Sequence, residues 1–280
     1  MNPYYFLFAL AILFTLVATI QDIKKREVAN WLNYSLIAFS LAYLLFYSIY
    51  TKNSSFFLYG AAGFIVFFIL ANILYYAKAF AGGDAKLLMG LGTIFPYTSY
   101  FSIIPIALIF CLLLFLVGAF YSLLYSIPIA ITNKKIFSSS FSKTLKKYYK
   151  FLILTVPLLI LNFLTPFPFN PLFLILFLIL PLYIYTSSIE KCLIKLYPPS
   201  RLTEGDWILS DIKLKSHTVK KTVHGLSKED IKALRKANKS ILVKEGIPFI
   251  PAFLISLIIM VFFSSSLLSL WGAFFRASLF

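Results

Sequence analysis

Apolar residues run along the chain in long blocks rather than in alternating or amphipathic stripes, which is the pattern expected where lipid is the solvent. A helix needs about 20 mostly apolar residues to cross a bilayer, and fewer when it is packed among others. By that measure there are candidate spans at 4–20, 31–50, 56–76, a short fourth at 87–95, a long fifth at 103–132, and then 151–167, 172–189 and 247–268. The pattern predicts an all-α polytopic membrane protein with about eight transmembrane helices and a small polar insert.

Polar stretches divide these blocks. A first membrane block, 1–132, is followed by a Ser/Lys-rich connector, 133–150, two further spans in 151–189, a polar insert at 190–246, and a last span and tail in 247–280. Pro198-Pro199 opens the strongly polar part of the insert, and Gly246 followed by Pro248 closes it. About fifty residues is near the lower limit for an independent core, so the insert is expected to lean on the membrane or on the connector. Within it, Trp207–Leu214 reads as a strand. Ser227-Lys-Glu-Asp230 reads as a capping box opening a short helix that carries Ile231, Leu234 and Ala237, and Glu204-Gly-Asp206-Trp reads as a surface turn.

Composition agrees with the pattern: 60% of the 280 residues are hydrophobic and the mean hydropathy is +0.88. The formal net charge of +16 would suit a nucleic-acid binder, but the placement of the cations argues against one. Every Lys and Arg except Lys52 and Arg276 falls in 21–30, 77–86, 133–150 or 190–246. With eight spans and the N-terminus outside, these four segments share one side, and the positive-inside rule makes that side cytoplasmic. The cations then lie against anionic lipid headgroups. Lys24, Lys25 and Arg26 follow the first span instead of preceding it, so that span does not read as a cleavable signal peptide. Cys111 and Cys192 are too few and scattered for a disulfide framework, and with His217 and His224 they form no metal-ligand pattern; neither metal nor cofactor is expected.

The acids carry the chemistry. Only Asp22, Glu27 and Asp84 precede Glu190, and an ionisable residue at membrane depth costs several kcal/mol unless paired or wetted. Asp22 follows the first span and Asp84 the third. Both spans run outside to inside, so both acids emerge at the same boundary. Each has a plain alternative: Asp22 could pair with Lys25 or Arg26, and Asp84 could cap the short fourth helix. Together, at equal depth, they favour a shared role. Two close carboxylates keep one proton between them, so one can take a proton from water while the other donates to a carbonyl oxygen. Gly82 and Gly83 can adopt φ > 0 and would give a loop there its freedom, and Lys86 would orient that loop or steer charge.

These residues resemble a known family, the archaeal type IV prepilin peptidases that include the preflagellin peptidases. Asp22, Lys24, Arg26, Val28 and Asn30 stand in its first motif, D-x-K-x-R-x-[IV]-x-N. Gly83, Asp84, Ala85 and Lys86 stand in its second, of G-x-G-D type, with Ala81 where the strict motif has glycine. The resemblance covers 1–135 and returns loosely at Lys244–Leu257. It implies a membrane aspartyl endopeptidase with Asp22 and Asp84 as its catalytic pair, no cofactor, and a precursor pilin or archaellin as substrate, cut to remove a short basic leader at the cytoplasmic face. The chain contains no C-x-x-C, so the resemblance implies proteolysis without the N-methylation of bacterial members. Two other readings compete: a presenilin- or signal-peptide-peptidase-like intramembrane protease, and a non-enzymatic transporter or scaffold. The sequence does not fix the oligomeric state.

Overall fold

The computed structural model describes residues 3–164, 171–214, 218–222 and 225–277. It divides into two compact units, Met1–Ser122 with Pro248–Phe280, and Leu123–Ile247.

The first unit is helical. Helices α1 (Pro3–Lys25), α2 (Asn30–Thr51) and α3 (Ser55–Tyr76) are each followed by a tight turn with a non-glycine residue in the left-handed region: Arg26 (φ 58), Lys52 (φ 54) and Lys78 (φ 63). After α3 the chain forms a ten-residue helix, α4 (Gly82–Leu91), then an irregular stretch to a 3-10 turn at Tyr100–Ser102, then α5 (Ile103–Thr132). The last helix, α9 (Ile250–Ala277), packs against α1.

Among the described residues, four helical segments are long and apolar enough to cross a membrane: α1, α2, α3 and Tyr100–Thr132. The expected fourth span is not such a helix. Ten residues rise only about 15 Å, roughly half the hydrocarbon thickness. The chain nevertheless returns to the other end of the unit. Tyr4, Tyr47 and Phe56 cluster there, with ring centroids 6.4 Å apart for Tyr4–Phe56 and 4.9 Å for Tyr47–Phe56. At that level Tyr100 meets Tyr59 in the first turns of α3, 4.8 Å away. Helix α4 and the irregular stretch together therefore span the distance that α3 covers. That stretch is buried: Thr93 and Ile94 are fully enclosed. Non-helical backbone at such depth needs internal partners. Tyr97 donates to the Gly92 carbonyl at 2.8 Å, and Thr93 bonds Ser40 of α2 at 2.7 Å. The close approach depends on Gly63 and Gly92. A Cβ on Gly63 would lie 2.3 Å from the Gly92 oxygen, and one on Gly92 would lie 2.5 Å from the Phe67 Cβ.

In the second unit the basic connector is not a separate piece of chain. It forms the first half of α6 (Lys134–Leu164), because nothing between Lys134 and Val156 is Gly or Pro. Helix α6 packs along α7 (Pro171–Cys192), with Tyr148 and Tyr183 ring-to-ring at 5.5 Å. The expected span 172–189 lies within α7, while the end of 151–167 falls outside the described residues, as do His217 and His224.

Among the described residues, the insert contributes five short strands. β1 (Ile194–Tyr197), β5 (Ile241–Lys244) and β2 (Trp207–Ile208) form an antiparallel sheet in the order β1-β5-β2, and β3 (Ile212–Lys213) pairs with β4 (Thr218–Val219). Trp207–Leu214 is thus two strands in different sheets rather than one. The break falls at 209–211, where the Asp211 carboxylate takes the Lys221 N–H at 2.7 Å and turns the chain toward β4. The capping box forms as read: the Asp230 N–H donates to Ser227 Oγ at 3.1 Å and the Ser227 N–H to Asp230 Oδ2 at 3.1 Å, opening α8 (Lys228–Lys236). Glu204–Trp207 is a turn, with Gly205 at φ 93. Leu202, Ile208, Val219, Leu226, Ile231, Leu234, Ile241 and Val243 give the insert a small core of its own.

Candidate active site

Asp22 lies in the last turn of α1, after an apolar run that ends in Ile20, and is only 7% exposed although Ile23 to Glu27 all face outward. Its Oδ2 accepts the N–H of Ile250, the first residue of α9, at 3.0 Å in a buried bond. The Phe249 N–H is also directed at it, and the Arg26 charge is near enough to act on it. The chain behind Asp22 is pinned locally: the Arg26 N–H returns to the Asp22 carbonyl at 2.9 Å, and the Ala29 N–H donates to Gln21 Oε1 at 2.9 Å.

Asp84 is the third residue of α4 and precedes the apolar run that begins at Leu87. Its Oδ2 accepts the N–H of Ala81 at 3.1 Å. This is half of a capping box, since Ala81 has no side-chain acceptor to return the bond. The plain capping role is therefore real, but as an N3 residue and not as the N-cap. Asp84 is half-buried, open on one side and surrounded by protein on the others, as in a cleft. That environment pushes its pKa up to about 7: burial is the chief cause, the Ala81 hydrogen bond opposes it, and the neighbouring Asp22 charge adds to it. The two carboxylates are thus close enough to feel each other.

The two motifs meet along their length. Val28 stands beside Gly83, at 3.6 Å from where a Cβ on that glycine would lie. Lys86 Nζ donates to Asn30 Oδ1 at 2.7 Å and lies over the Tyr34 ring, so it ties α4 to the start of α2.

Gly82 and Gly83 are a correction. They are the first two helical residues of α4, and neither has positive φ. Ala81 supplies the extended residue before the helix (φ −74, ψ 165), and Lys78 makes the left-handed turn. Alanine at 81 is therefore no obstacle, and the chain reverses before the glycines are reached. A Cβ on either glycine would make only ordinary contacts, with Tyr75 or Val28.

Sequence reading did not foresee three neighbours. Asn33 of α2 is fully buried and donates to the Gly83 carbonyl at 3.4 Å. Phe80 packs on Phe249, Phe253 and Phe115, with centroids 5.6 to 5.8 Å apart. The start of α9 reaches Asp22. Only the last carried a signal, in Pro251 at the second position of a new apolar run, where a missing N–H costs a helix nothing.

Residues 9–126 match the type IV leader peptidase family. A preflagellin peptidase from Methanococcus voltae is 30% identical over 52% of this chain and 65% of its own length. One from Methanococcus maripaludis is 26% identical over 48% of this chain and 60% of its own length. A third, from Methanocaldococcus jannaschii, is 35% identical over 29% of this chain and 34% of its own length. The chain thus spans less than two thirds of the curated relatives it matches. No solved structure matches it.

Proposed function

We propose that this chain, whose residues 9–126 match the type IV leader peptidase family, is a membrane aspartyl endopeptidase that removes the leader of an archaellin- or pilin-like precursor. The observation that carries the reading is the convergence of Asp22 and Asp84 at one end of the helical unit, each with one oxygen already held by a backbone N–H. Asp22, at the N-terminal end of α9, is the better placed to stay ionised, because helix N-termini favour anions. Asp84 is the better placed to keep the proton.

The division of labour follows. Asp22 takes a proton from a water bound between the carboxylates, and the oxygen of that water bonds to the scissile carbonyl carbon. Asp84 gives its proton to the carbonyl oxygen. The tetrahedral diol then collapses: the C–N bond breaks, the proton held by Asp22 passes to the departing amine, and Asp84 recovers its proton from the diol. No metal enters, and methylation of the new N-terminus is no part of the reaction.

The site faces the cytoplasm and the N-terminus lies outside, in keeping with the clustered cations of Lys24, Lys25 and Arg26 beside Asp22. Residues 1–132 form the catalytic membrane block, and α6, α7, the insert and the C-terminal helix within 247–280 complete an eight-pass chain whose basic segments meet anionic headgroups. The test is cleavage of a co-produced precursor archaellin by Asp22→Asn and Asp84→Asn. Each substitution, in a protein that still folds, should abolish processing; a variant that goes on releasing mature subunit would sink the reading.

A further inference from the structure

The family match ends at residue 126, yet the buried hydrogen bond on Asp22 comes from residue 250. We infer that the N-terminus of α9 belongs to the proteolytic site: the Ile250 N–H is a positioning group that fixes Asp22 Oδ2 and leaves the other oxygen to face the water. This rests on the reading of Asp22 and Asp84 as the proteolytic pair.

Several independent features build the contact. The first N–H groups of a helix lack partners within it. In α9, Pro251 has none to offer, and the Ala252 N–H turns back to the Phe249 carbonyl at 3.0 Å. The Ile250 N–H is left to be satisfied from outside, and Asp22 satisfies it across 228 residues of sequence. Ile250, Ala252 and Phe253 are fully buried, so the helix start is fixed on all sides rather than frayed. Phe249 sets its height. Its ring lies against Gly118 of α5, where a Cβ would come within 2.5 Å of it, and it packs on Phe80 at 5.7 Å and on Phe253 at 5.9 Å. Phe80 in turn lies in the turn just before Ala81, whose N–H holds Asp84. One aromatic cluster therefore joins the two backbone donors that hold the two carboxylates. Without the Ile250 donor, Asp22 would keep its place in the chain but be left with the weaker hold of the Phe249 N–H on its carboxylate.

Ile250 is the first residue of its helix, where proline fits the backbone and removes only the N–H. Ile250→Pro is therefore a deletion of one hydrogen bond, and Ile250→Ala, which trims the side chain but keeps the N–H, is its control. Both are made in the full chain, purified in detergent and assayed on a purified precursor archaellin. Ile250→Ala should cleave within about threefold of the unaltered protein. Ile250→Pro should lose about 10- to 100-fold in kcat, the worth of one charge-assisted bond, at unchanged KM. The acidic limb of its kcat profile should also move upward by about one pH unit, because the ionised carboxylate has lost a donor. A lost packing contact would not move that limb.

Should the proline variant fail to fold, Gly118→Ala displaces Phe249 without touching Ile250. It should lower kcat at unchanged KM, and Phe249→Leu in the same chain should restore part of the loss. The inference is overturned if Ile250→Pro matches Ile250→Ala in both kcat and pH profile, or if Gly118→Ala folds with unchanged kcat. If Asp22→Asn itself still cleaves, the underlying reading fails instead; if Asp22→Asn is inactive while Ile250→Pro is normal, only the role of α9 falls.

Discussion

Replacing Asp84 by asparagine should stabilise this protein above neutral pH while abolishing cleavage. The Asp84 pKa stands at about 7 in the folded chain against 3.8 for an ordinary aspartate, so the folded state holds this proton more tightly than the unfolded state does. Unfolding then releases a proton between those two values. Stability falls as pH rises from about 4 through about 7 and stays at its lower value above. At 1.36 kcal/mol per unit the full penalty is about 4 kcal/mol. Water reaching the open side of the carboxylate reduces this to about 2 kcal/mol. Asparagine cannot ionise, and its amide oxygen still accepts from the Ala81 N–H. The two proteins should therefore melt together near pH 4.5 and separate by about 5 °C at pH 8, with the variant the more stable. Thermal unfolding in detergent followed by intrinsic fluorescence, at half-unit steps from pH 4.5 to 8.5, measures this. In an Asp22→Asn background the separation should shrink and level off at lower pH, because the like charge next to Asp84 is gone. Parallel melting curves for Asp84→Asn and the unaltered protein across the whole range would refute the argument, since Asp84 would then titrate as it does in the unfolded chain.

Two further outcomes follow from packing and capping. Gly63→Ala places a methyl group 2.3 Å from both the Gly92 carbonyl and the Tyr97 ring, and should cost about 1–3 kcal/mol of overpacking, seen as a lowered melting temperature with loss of the Tyr97–Gly92 hydrogen bond. Ser227→Ala removes the acceptor for the Asp230 N–H and should cost the insert about 1 kcal/mol, seen as faster amide exchange at the start of α8, with precursor cleavage unchanged.

The features legible in the sequence were those carried by local chemistry. The apolar blocks located α1, α2, α3 and α5 to within a few residues, because twenty apolar residues in succession leave little choice of structure in lipid. The scarcity of acids singled out Asp22 and Asp84, and Ser227 with Asp230 announced α8 because a capping box is a contact between neighbours. What stayed hidden depends on distant partners. Composition at 87–95 reads as a weak span, and nothing local says that the helix stops at Leu91; that follows from Gly92 pressing on Gly63 and Phe67. The glycine pair looked like a flexible loop, yet the left-handed turn was taken by Lys78, a residue whose type gives no warning of it. The bond from Ile250 to Asp22 joins residues 228 apart, and no pattern within either segment implies it.

On the proposed reading, the shortness of α4 bears on how Asp84 could serve as a catalytic acid where it stands. A full-length fourth helix would fill the space between α2, α3 and α5 with side chains and satisfy every backbone group internally, leaving no reason for water to enter. A ten-residue helix that starts at Gly82 presents its first turn, whose N–H groups lack partners within the helix, near Asp22. The irregular stretch that completes the crossing is kept at the opposite end, where it is closed by Thr93, Ser40 and Tyr97. On that reading, polar backbone is sealed at the end away from Asp84 and left accessible beside it. Two glycines at the start of α4 add no side chain to that opening, which gives them a use that needs no unusual φ. Bulky residues at 82 and 83 would meet Tyr75 and Val28 at ordinary distances, so the fold could accept them, and what they would occupy is the approach to the carboxylate.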